Sequence, residues 1–512
     1  MATKEKETEN EVETKKAATA TSKPSSGTVT PHATAAAKTF KVGPVTRIEG
    51  HLDIEVTVDQ VNGQMQVVDA KCEGTMFRGF ENILLNRDPR DAVHLTQRIC
   101  GVCPVSHAMA SSMALEQAFR ITPTENGRVM RNLILGANFI QSHILHFYHL
   151  AAPDYIDTTG ILDMSPWTPR YTTSDMAKGA TAQSLVNNYL TALAMRRKAH
   201  QMGAIFGGKL PHTPTFSPGG CSEIVSADKV TAFRALLTEL RNFLTNTMVP
   251  DALAVASLFP AYKTIGRGSG NLLAYGVFDL STTNTNNKLL ARGRVLNGQL
   301  QTVSATSIKE YVKYGYYSSA TGLNPATGAT TPSPAKAGAY SWLKAPRYDN
   351  AVYEVGPLAR MWVNGDYRNG PSVIDRVAAR ALEAQKIADA MDGWLNQLVV
   401  GGQTCRAASV PASGTGIGLT EAARGALGHW VEIRNSKLSR YQVITPTAWN
   451  ASPKDDSGQM GAMEQALMGT PVADTTQPIE LLRVVHSFDP CLACAVHLLR
   501  PGQKRPKVVL RA

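Results

Sequence analysis

Four of the seven cysteines of this chain form two Cys-x-x-Cys pairs, Cys100–Cys103 and Cys491–Cys494. Four thiolates are enough to complete a tetrahedral metal shell, and soft sulfur ligands favour nickel, iron, copper and zinc over hard cations. Zinc ribbons usually place their two pairs within about twenty residues of each other, whereas nearly four hundred residues separate these pairs. The spacing therefore predicts a buried metal centre that ties together the two ends of a large fold, with structural zinc as the weaker alternative.

Other uses of paired thiols suit this chain less well. Disulfide scaffolds are small and rich in cysteine, and a chain of 512 residues with seven cysteines is neither. A thioredoxin-like redox pair is expected in a βαβ context, and neither motif has that context. The three remaining cysteines, at 72, 221 and 405, are isolated and are expected to be inert buried side chains.

Polar side chains flank both pairs at short spacing. Asp489 lies two residues before the second pair and offers a carboxylate beside the site. His497 lies three residues beyond the same pair, so that it could face the same cavity or bind a different ion. His107 lies four residues beyond the first pair, and we expect it to orient that pair from outside the set of ligands.

Composition and charge exclude several classes of protein. Hydrophobic residues make up 43% of the chain and charged residues 18%, which is typical of a soluble globular protein. The sequence has no apolar run of transmembrane length, and its first residues, MATKEKETENEVETKK, lack the apolar core of a secretory signal. Of the net charge of +11, a balance of +5 falls in residues 498–512, and no basic run is interleaved with aromatics. We therefore expect no nucleic-acid partner and a cytoplasmic location, with association with the inner face of the membrane as an alternative.

The elements that must position these residues are mostly helices. The segment "DIEVTVDQVNGQMQVVDAKCE" alternates apolar and polar residues around Asn62-Gly63, which predicts a β-hairpin. Helical periodicity begins near Pro89, predicts a long buried helix in "NGRVMRNLILGANFIQSHILHFYHLAA", and predicts an amphipathic helix over 372–399. Residues 318–338 are rich in Gly, Pro, Ser and Thr and predict a surface loop. The fold class is thus mainly α with small β elements, an α+β fold.

The composition also predicts three regions along the chain. Residues 1–38 contain almost no large apolar side chains and are expected to be a disordered tail. Residues 39–497 form the folded domain, and residues 498–512 form a short basic segment after the second cysteine pair.

Eight segments, in order and spacing, resemble the large subunit of a nickel–iron hydrogenase, nearest to the uptake-type, cyanobacterial-like branch. The resemblance runs from about Phe40 to His497 and implies a large helical core with a metal site buried between the two cysteine motifs. The segments are VTRIEGHLDIEV (45–56), GTMFRGFENILLNRDPRDA (74–92), RICGVCPVSH (98–107), FGGKLPH (206–212), YSWLKAPRYD (340–349), ARGALGHW (423–430), TPTAWNASP (445–453) and DPCLACAVH (489–497).

The resemblance implies a nickel–iron centre whose iron carries CO and two cyanides. By the same likeness, Cys100 and Cys491 are terminal thiolates on nickel, and Cys103 and Cys494 bridge nickel and iron. The implied activity is the heterolytic oxidation of H2 to protons and electrons, with the thiolate of Cys491 as the first base. A regulatory subunit that senses H2 on the same fold is the alternative function.

The resemblance also implies roles for residues around the metals. Glu49 in "RIEGH" matches a glutamate that passes protons, and burial near thiolates should raise its pKa. Arg424 in "ARGALGHW" matches an arginine above the open metal position, where it can bond a cyanide and Asp489. Thr447 matches a hydroxyl donor to the second cyanide. Two positions near this arginine depart from the family pattern, with Ala423 for the usual Pro and Ser142 for the usual Asp.

A separate magnesium-type site is implied by Glu81 and His497, with a backbone carbonyl near Val443. One carboxylate with several waters is typical of Mg2+ chemistry.

The number of cysteines, as well as the resemblance, indicates that the chain has partner proteins. A cubane cluster needs four cysteines, and only three scattered ones remain beyond the two pairs, so we expect an iron–sulfur small subunit to receive the electrons. The family further implies nickel chaperones, an endopeptidase that removes residues 498–512 after nickel insertion, and assembly of heterodimers into a higher oligomer. Quinone-reducing relatives have lost the cysteine pairs, which this chain keeps.

Overall fold

The computed structural model describes residues 37–164, 167–168 and 170–495, with residues 494 and 495 described by their backbone alone. The predicted tail at 1–38 falls almost wholly outside the described residues, and His497 and the predicted segment 498–512 fall entirely outside them. Within the described part the fold is mainly helical with small antiparallel sheets, so the predicted fold class is confirmed. Every helix of this part is too short or too polar to cross a bilayer.

The helices are α1 Phe80–Ile83, α2 Asp91–Thr96, α3 Pro104–Phe119, α4 Glu125–Ile144, α5 Gly179–Gly207, α6 Ala227–Phe243, α7 Val249–Leu258, α8 Pro357–Asn364, α9 Val373–Leu395, α10 Pro446–Asn450, α11 Ala462–Leu467, α12 Ile479–Ser487 and α13 Leu492–Ala495. The strands are β1 Lys38–Val42, β2 Leu52–Val61, β3 Gln64–Gly74, β4 Phe216–Ser217, β5 Gly220–Cys221, β6 Leu272–Ala274, β7 Val277–Asp279, β8 Lys288–Leu290, β9 Gly293–Leu296, β10 Gln299–Gln301, β11 Ile308–Tyr311, β12 Ala345–Tyr348, β13 Ser413–Ala422, β14 Gly425–Arg434 and β15 Lys437–Ile444.

The first sheet, in the order β1-β2-β3, contains the predicted hairpin. Asn62 and Gly63 both adopt positive φ angles, 52° and 79°, as the two central residues of a tight hairpin turn require. Alternate residues of β2 are buried, which matches the period of two in its sequence. Residues 43–51 connect β1 to β2, and Glu49 in this connection forms a backbone bridge with Cys491.

A helical core makes up much of the rest of the fold. Helix α4 is almost entirely buried and continues into a π-helical segment, Leu145–Ala151, so the long helix predicted there is confirmed. Helix α9 begins at a capping box formed by Ser372 and Asp375, which satisfies the first amides of the helix. Helix α4 packs against both α5 and α9 and supports the loop that carries the first cysteine pair.

The sheet β13-β14-β15 packs directly against α3, and glycines make this possible. Gly414, Gly416 and Gly418 alternate along β13, so they share one face of the strand. A Cβ at Gly416 would lie 1.8 Å from the carbonyl oxygen of Ala114, and a Cβ at Gly418 would lie 2.0 Å from that of Ala110. The strand and the helix are therefore in backbone contact, which fixes the position of α3 and of the cysteine at its start.

Short strands between residues 272 and 348 form further small sheets that the sequence analysis missed. Residues 318–338 contain neither a helix nor a named strand, as predicted. They are not only a surface loop, however, because Thr330 is buried and reaches the environment of Glu81.

Candidate metal centre and its surroundings

Three thiols from the two ends of the chain meet in one buried cluster. The Sγ atoms of Cys100, Cys103 and Cys491 all lie within 4.8 Å of one another, and those of Cys100 and Cys491 are 3.3 Å apart. The backbone N–H groups of Val102 and Cys103 donate to Sγ of Cys100 at 3.2 and 3.3 Å. These donors stabilise a thiolate, so the cluster suits a soft cation. The structure thus brings three of the four predicted sulfur ligands together.

The fourth predicted sulfur ligand can be placed only by its backbone. Cys494 lies in α13, which begins one residue after Cys491, but its side chain is outside the described part. Cys103 is the N-cap of α3, so each cysteine pair stands at the start of a helix. Positive charge at helix starts favours anionic sulfur.

Amide groups from α4 hold the loop of the first pair. The side-chain amides of Asn138 and Gln141 both donate to the carbonyl oxygen of Val102 at 3.0 Å. On the other side of the cluster, the backbone N–H of Cys491 donates to Oγ1 of Thr447 at 2.9 Å. Thr447 therefore lies beside the cysteine cluster, and this bond does not use its hydroxyl hydrogen.

Glu49 lies against the second cysteine pair. Its Oε2 is 3.1 Å from Sγ of Cys491 and accepts the backbone N–H of Ala493 at 2.9 Å. Its backbone donates to Pro490 and accepts from Leu492 in a short parallel bridge. Burial, and next the charge of the Cys100 thiolate, raise the pKa of Glu49 to about 7, in the direction that the sequence analysis predicted.

Arg424 and Asp489 form a buried ion pair next to the thiols. Arg424 lies in the turn between β13 and β14, and its Nη2 is 2.9 Å from Oδ1 of Asp489. Its Nε donates to the carbonyl of Asp489 at 3.0 Å, and its Nη1 is 3.4 Å from the hydroxyl of Ser142. Burial would raise the pKa of Asp489, but the charges of Arg424 and neighbouring basic groups lower it. Ser142, which replaces the usual carboxylate, thus still contacts the arginine.

The ion pair leaves polar atoms unused. Although Nη2 of Arg424 and Oδ1 of Asp489 are close, neither they nor Oδ2 of Asp489 has a partner in hydrogen-bond geometry within the described part of the chain. Buried donors and acceptors are rarely left in this way. The donor in particular fits a diatomic ligand with a nitrogen or oxygen end, so the residues present fit the implied metal group.

His107 contacts a second buried histidine rather than solvent. Its Nδ1 is 3.1 Å from Nε2 of His429, and its Nε2 has no partner among the described residues. Burial lowers the pKa of His107 to about 4, so the ring is neutral at physiological pH.

Glu81 in α1 and Val443 in β15 are in contact. Oε1 of Glu81 accepts the backbone N–H of Val443 at 2.9 Å, and its Oε2 accepts the hydroxyl of Thr330. The buried ammonium of Lys344 is nearby and is 3.0 Å from Oε1 of Gln442. Two of the predicted contributors to a hard-ion site are thus adjacent, while His497 lies outside the described residues.

Sequence reasoning missed several residues around the centre: Asn138 and Gln141, which hold the loop of the first pair, and His429, which contacts His107. His429 stands inside the segment "ARGALGHW" that drew attention to Arg424, so its motif was a usable signal. Asn138 and Gln141 carry no such signal, because their role depends on one carbonyl group that is distant in sequence.

Comparison with known proteins agrees with this geometry. A family model described as nickel-dependent hydrogenase matches residues 78–184 and 163–497, and a model described as HoxL-like matches residues 39–72. The chain is 42% identical to the periplasmic [NiFeSe] hydrogenase large subunit of Desulfomicrobium baculatum, over 92% of this chain and 97% of that protein. It is 35% identical to the uptake hydrogenase large subunit of Bradyrhizobium diazoefficiens, over 93% of this chain and 98% of that protein.

Solved structures give the same result. The [NiFeSe] hydrogenase of Dm. baculatum superposes with a TM-score of 0.86 at 42% identity, covering 90% of this chain and 100% of the solved chain. That of D. vulgaris Hildenborough superposes with the same score, identity and coverage. The relatives include a protein named as a [NiFeSe] hydrogenase and one named as an uptake hydrogenase. In this chain all four positions of the two motifs are cysteine. The chain therefore belongs to the nickel-dependent hydrogenases and is a hydrogenase large subunit.

Proposed function

We propose that this chain is the catalytic subunit of an enzyme that oxidises H2 heterolytically and transfers the electrons to an iron–sulfur small subunit. One observation carries the proposal: Oε2 of Glu49 is 3.1 Å from Sγ of Cys491, which is 3.3 Å from Sγ of Cys100. A cluster of soft ligands and a proton carrier within one hydrogen bond of each other are what heterolysis of H2 needs.

The metal group would be held by the four motif cysteines. Cys100, Cys103 and Cys491 are already gathered, and Cys494 would supply the fourth thiolate. Nη2 of Arg424 would bond one cyanide ligand on iron, and the hydroxyl of Thr447 would bond the second. When bound, the nickel–iron group supplies the coordination that grips and polarises H2, a molecule without charge or dipole.

The chain's own residues then handle the proton. The thiolate of Cys491 accepts it, and the carboxylate of Glu49 takes it from the sulfur at Oε2. A carboxyl with a pKa of about 7 both accepts and releases protons near neutral pH. Burial of Cys491, which is 1% exposed, keeps bulk water from the sulfur, so the proton leaves through Glu49.

The electrons would leave where the loop of the first cysteine pair meets the surface. Gly101, next to Cys100, is exposed, and an added Cβ there would meet nothing within 4 Å. A partner that docks on this loop reaches the centre through a single residue. The three cysteines outside the pairs are too few for a cubane cluster, which supports an iron–sulfur partner.

Metal analysis and infrared spectroscopy of the purified complex test the proposal. We expect nickel and iron near one atom each per large subunit and infrared bands of CO and cyanide. Zinc alone, without those bands, would contradict it. H2 uptake and H2 evolution, each measured with artificial electron carriers, decide the direction: faster evolution at neutral pH would overturn the assignment as an oxidising enzyme.

We also propose a magnesium-type ion bound by Glu81, the backbone carbonyl near Val443, and His497. The contact of Glu81 with Val443 supports this, as does the buried amide oxygen of Gln442 close by. Elemental analysis after dialysis against a chelator that spares nickel should show one tightly held divalent ion, and Glu81→Gln should lose that ion while it keeps nickel. Retention of the ion in the variant would refute the assignment.

We further propose that residues 498–512 are a maturation peptide, which an endopeptidase removes after nickel chaperones have loaded the site. The five positive charges of this segment would each need a partner if the segment were buried. Mass spectrometry should find the active chain about 1.7 kDa lighter than its precursor, which is the mass of the fifteen residues 498–512. A nickel-loaded, active enzyme that still ends at Ala512 would refute the proposal.

For location we propose the cytoplasm, including the inner face of the membrane. The Dm. baculatum relative is named as periplasmic, so the periplasm is the alternative. Cell fractionation with antibodies against the large subunit decides between the two, and recovery of the mature chain in the periplasm would overturn the proposal.

A further inference from the structure

The ring of His486 lies between two hydrogen-bond acceptors. Its Nδ1 is 2.5 Å from Oδ2 of Asp154, and its Nε2 is 2.9 Å from the backbone carbonyl oxygen of Thr46. His486 is 1% exposed and Asp154 is fully buried. The ring therefore joins three segments that are distant in sequence: α12, the turn Ala152–Asp154, and the connection between β1 and β2.

The two partners determine the protonation of this ring. A carbonyl oxygen only accepts hydrogen bonds, so Nε2 has to carry a proton in order to bond Thr46. Asp154 is ionised, because its Oδ1 forms an ion pair with Arg47; burial opposes ionisation, but Arg47 and His486 lower the Asp154 pKa to about 2. Its carboxylate therefore only accepts as well, so Nδ1 also carries a proton, and His486 is an imidazolium.

The groups around the ring suit this cation. The carboxylate of Asp154 is the anion that a buried positive charge needs. His146 donates from Nε2 to the backbone carbonyl of His486 at 2.6 Å, and burial lowers the pKa of His146 to about 3, so His146 is neutral and adds no second cation. Arg483 donates to the backbone carbonyl of Asp154 and has its own carboxylate partner in Asp175.

The bond to Thr46 holds the beginning of the segment that carries Glu49. Arg47, the next residue, has a φ angle of 53°, which a bulky side chain adopts only where its surroundings hold it. Its Nη1 donates to the backbone carbonyl of Leu150 at 2.5 Å, and its Nη2 pairs with Asp154. The bent connection is thus fixed on both its backbone and its side-chain sides.

Two attachments join this segment to the one that carries Cys491. The first is the bond from His486 to Thr46, and His486 stands five residues before Cys491. The second is the parallel bridge, in which the backbone of Glu49 donates to Pro490 at 3.2 Å and accepts from Leu492 at 2.7 Å. Together they set the position of the Glu49 carboxylate, whose Oε2 is 3.1 Å from Sγ of Cys491.

We infer that His486 is a positioning residue for proton transfer: as an imidazolium held by Asp154, it bonds the carbonyl of Thr46 and so keeps the carboxylate of Glu49 at Sγ of Cys491. The inference rests on the proposed function, because it concerns the proton that Glu49 would take from that sulfur. In the described part of the chain, no side-chain hydrogen bond of His486 reaches Glu49 or Cys491, so His486 acts through the backbone of the two segments.

Neutron diffraction tests the protonation of His486 in the wild-type protein. Crystals of the perdeuterated complex, grown near neutral pH, should show deuterium on both Nδ1 and Nε2 of His486 and none on the carboxylate of Asp154. A bare Nε2, or deuterium on Asp154 in place of Nδ1, overturns the inference. The measurement requires no turnover, so its outcome is independent of the proposed function.

His486→Gln tests the effect on proton transfer. The glutamine amide has one nitrogen donor and one oxygen acceptor, so it cannot donate towards both Asp154 and Thr46 as the imidazolium does. A displacement of about 1 Å at a reacting group lowers its rate about 100-fold, so we expect exchange between H2 and D2O to fall roughly 10- to 100-fold. Nickel content and the infrared bands of CO and cyanide should stay at their wild-type values.

A solvent isotope effect separates positioning from simple loss of folded enzyme. The ratio of H2 oxidation rates in H2O and D2O should rise in His486→Gln, because proton transfer then limits turnover. An unchanged ratio, with activity that falls only in proportion to nickel content, overturns the inference. His94→Gln is the matched control, since His94 is exposed in α2, and a change of equal size in that variant would also overturn it.

A double variant tests whether His486 acts through Glu49. Adding His486→Gln to Glu49→Gln should slow exchange no further, because both changes affect the transfer of one proton. A further loss of about tenfold or more would mean that His486 acts by another route, and the inference would fail. If the wild-type complex shows no exchange between H2 and D2O, the proposed function is wrong, and that failure is distinct from one confined to His486.

Discussion

Gly418→Ala should displace the helix that starts at the first cysteine pair. An ideal Cβ at Gly418 would lie 2.0 Å from the carbonyl oxygen of Ala110, and real Cβ atoms essentially never approach another heavy atom more closely than 3.0 Å. The strand and the helix must therefore separate by about 1 Å. Neither side can yield by rotating a side chain, because the contact is between backbone atoms.

The expected cost follows from this displacement. Overpacking of a well-packed core typically costs about 1–3 kcal/mol, and we expect a value near the middle of that range for the free energy of unfolding. The shift also reaches Cys103 at the start of α3. A misplacement of about 1 Å at a reacting group can lower the rate about 100-fold, so H2 oxidation should fall by more than the loss of folded protein explains.

Urea unfolding and nickel content per chain measure the two effects. Gly393→Ala is the control, because Gly393 is exposed in α9 and an added Cβ there meets nothing within 4 Å. It should be neutral or stabilise the chain by up to about 1 kcal/mol. If the free energy of unfolding of Gly418→Ala is within about 0.5 kcal/mol of the wild-type value, and the variant binds as much nickel as the wild type, then the contact between β13 and α3 does not position the site.

Four further changes test other parts of the structure. Cys491→Ser should abolish nickel retention and H2 oxidation, because a neutral hydroxyl is a poor ligand for a soft metal, and full nickel in the variant would remove this residue from the ligand set. Glu49→Gln should keep the infrared bands but slow proton exchange between H2 and D2O, and a rate within about tenfold of wild type, under about 1.4 kcal/mol, would exclude it as the proton carrier. Asp154→Asn should remove a stabilising charge: burial opposes ionisation of Asp154, but Arg47 and His486 lower its pKa from 3.8 to about 2. The contribution of this charge to stability is therefore present above pH 4 and is lost as the pH falls towards 2. Urea midpoints measured between pH 2 and 6 should depend less on pH in the variant than in the wild type, and an identical pH profile would contradict this. Gly50→Ala should lower nickel content, since its Cβ would lie 2.4 Å from the amide nitrogen of Ala493, whereas Gly63→Ala has the same positive φ and no contact, so equal nickel in the two variants would refute the role of that contact.

The chemistry of the site could be predicted from the sequence because its residues stand in short motifs. The spacing of the cysteine pairs indicated a shared metal centre, and the structure places Cys100 and Cys491 with their sulfurs 3.3 Å apart. The hairpin at Asn62-Gly63 and the long helix α4 were predictable for a similar reason, since turn residues and helical periodicity are local signals.

What could not be predicted depends on pairing between distant segments. The small sheets between residues 272 and 348 consist of strands of three or four residues, which are too short to show a clear alternation. The glycines of β13 read as a flexible stretch until α3 is placed against them. His486 resembles any buried histidine until the fold sets it between Asp154 and Thr46.

The two cysteine pairs of the metal site are held by different parts of the fold. Cys100 and Cys103 belong to a frame of α3, β13 and α4, which are in contact with one another through α3. Cys491 is added to that frame by a short parallel bridge to Glu49 and by one bond to Thr447. The same segment carries Asp489, which contacts Arg424, and Ala493, whose backbone N–H donates to Glu49. Glu49 supplies both the bridge and a carboxylate against Sγ of Cys491, so the residue that contacts the segment through its backbone is also the one proposed to carry the proton away.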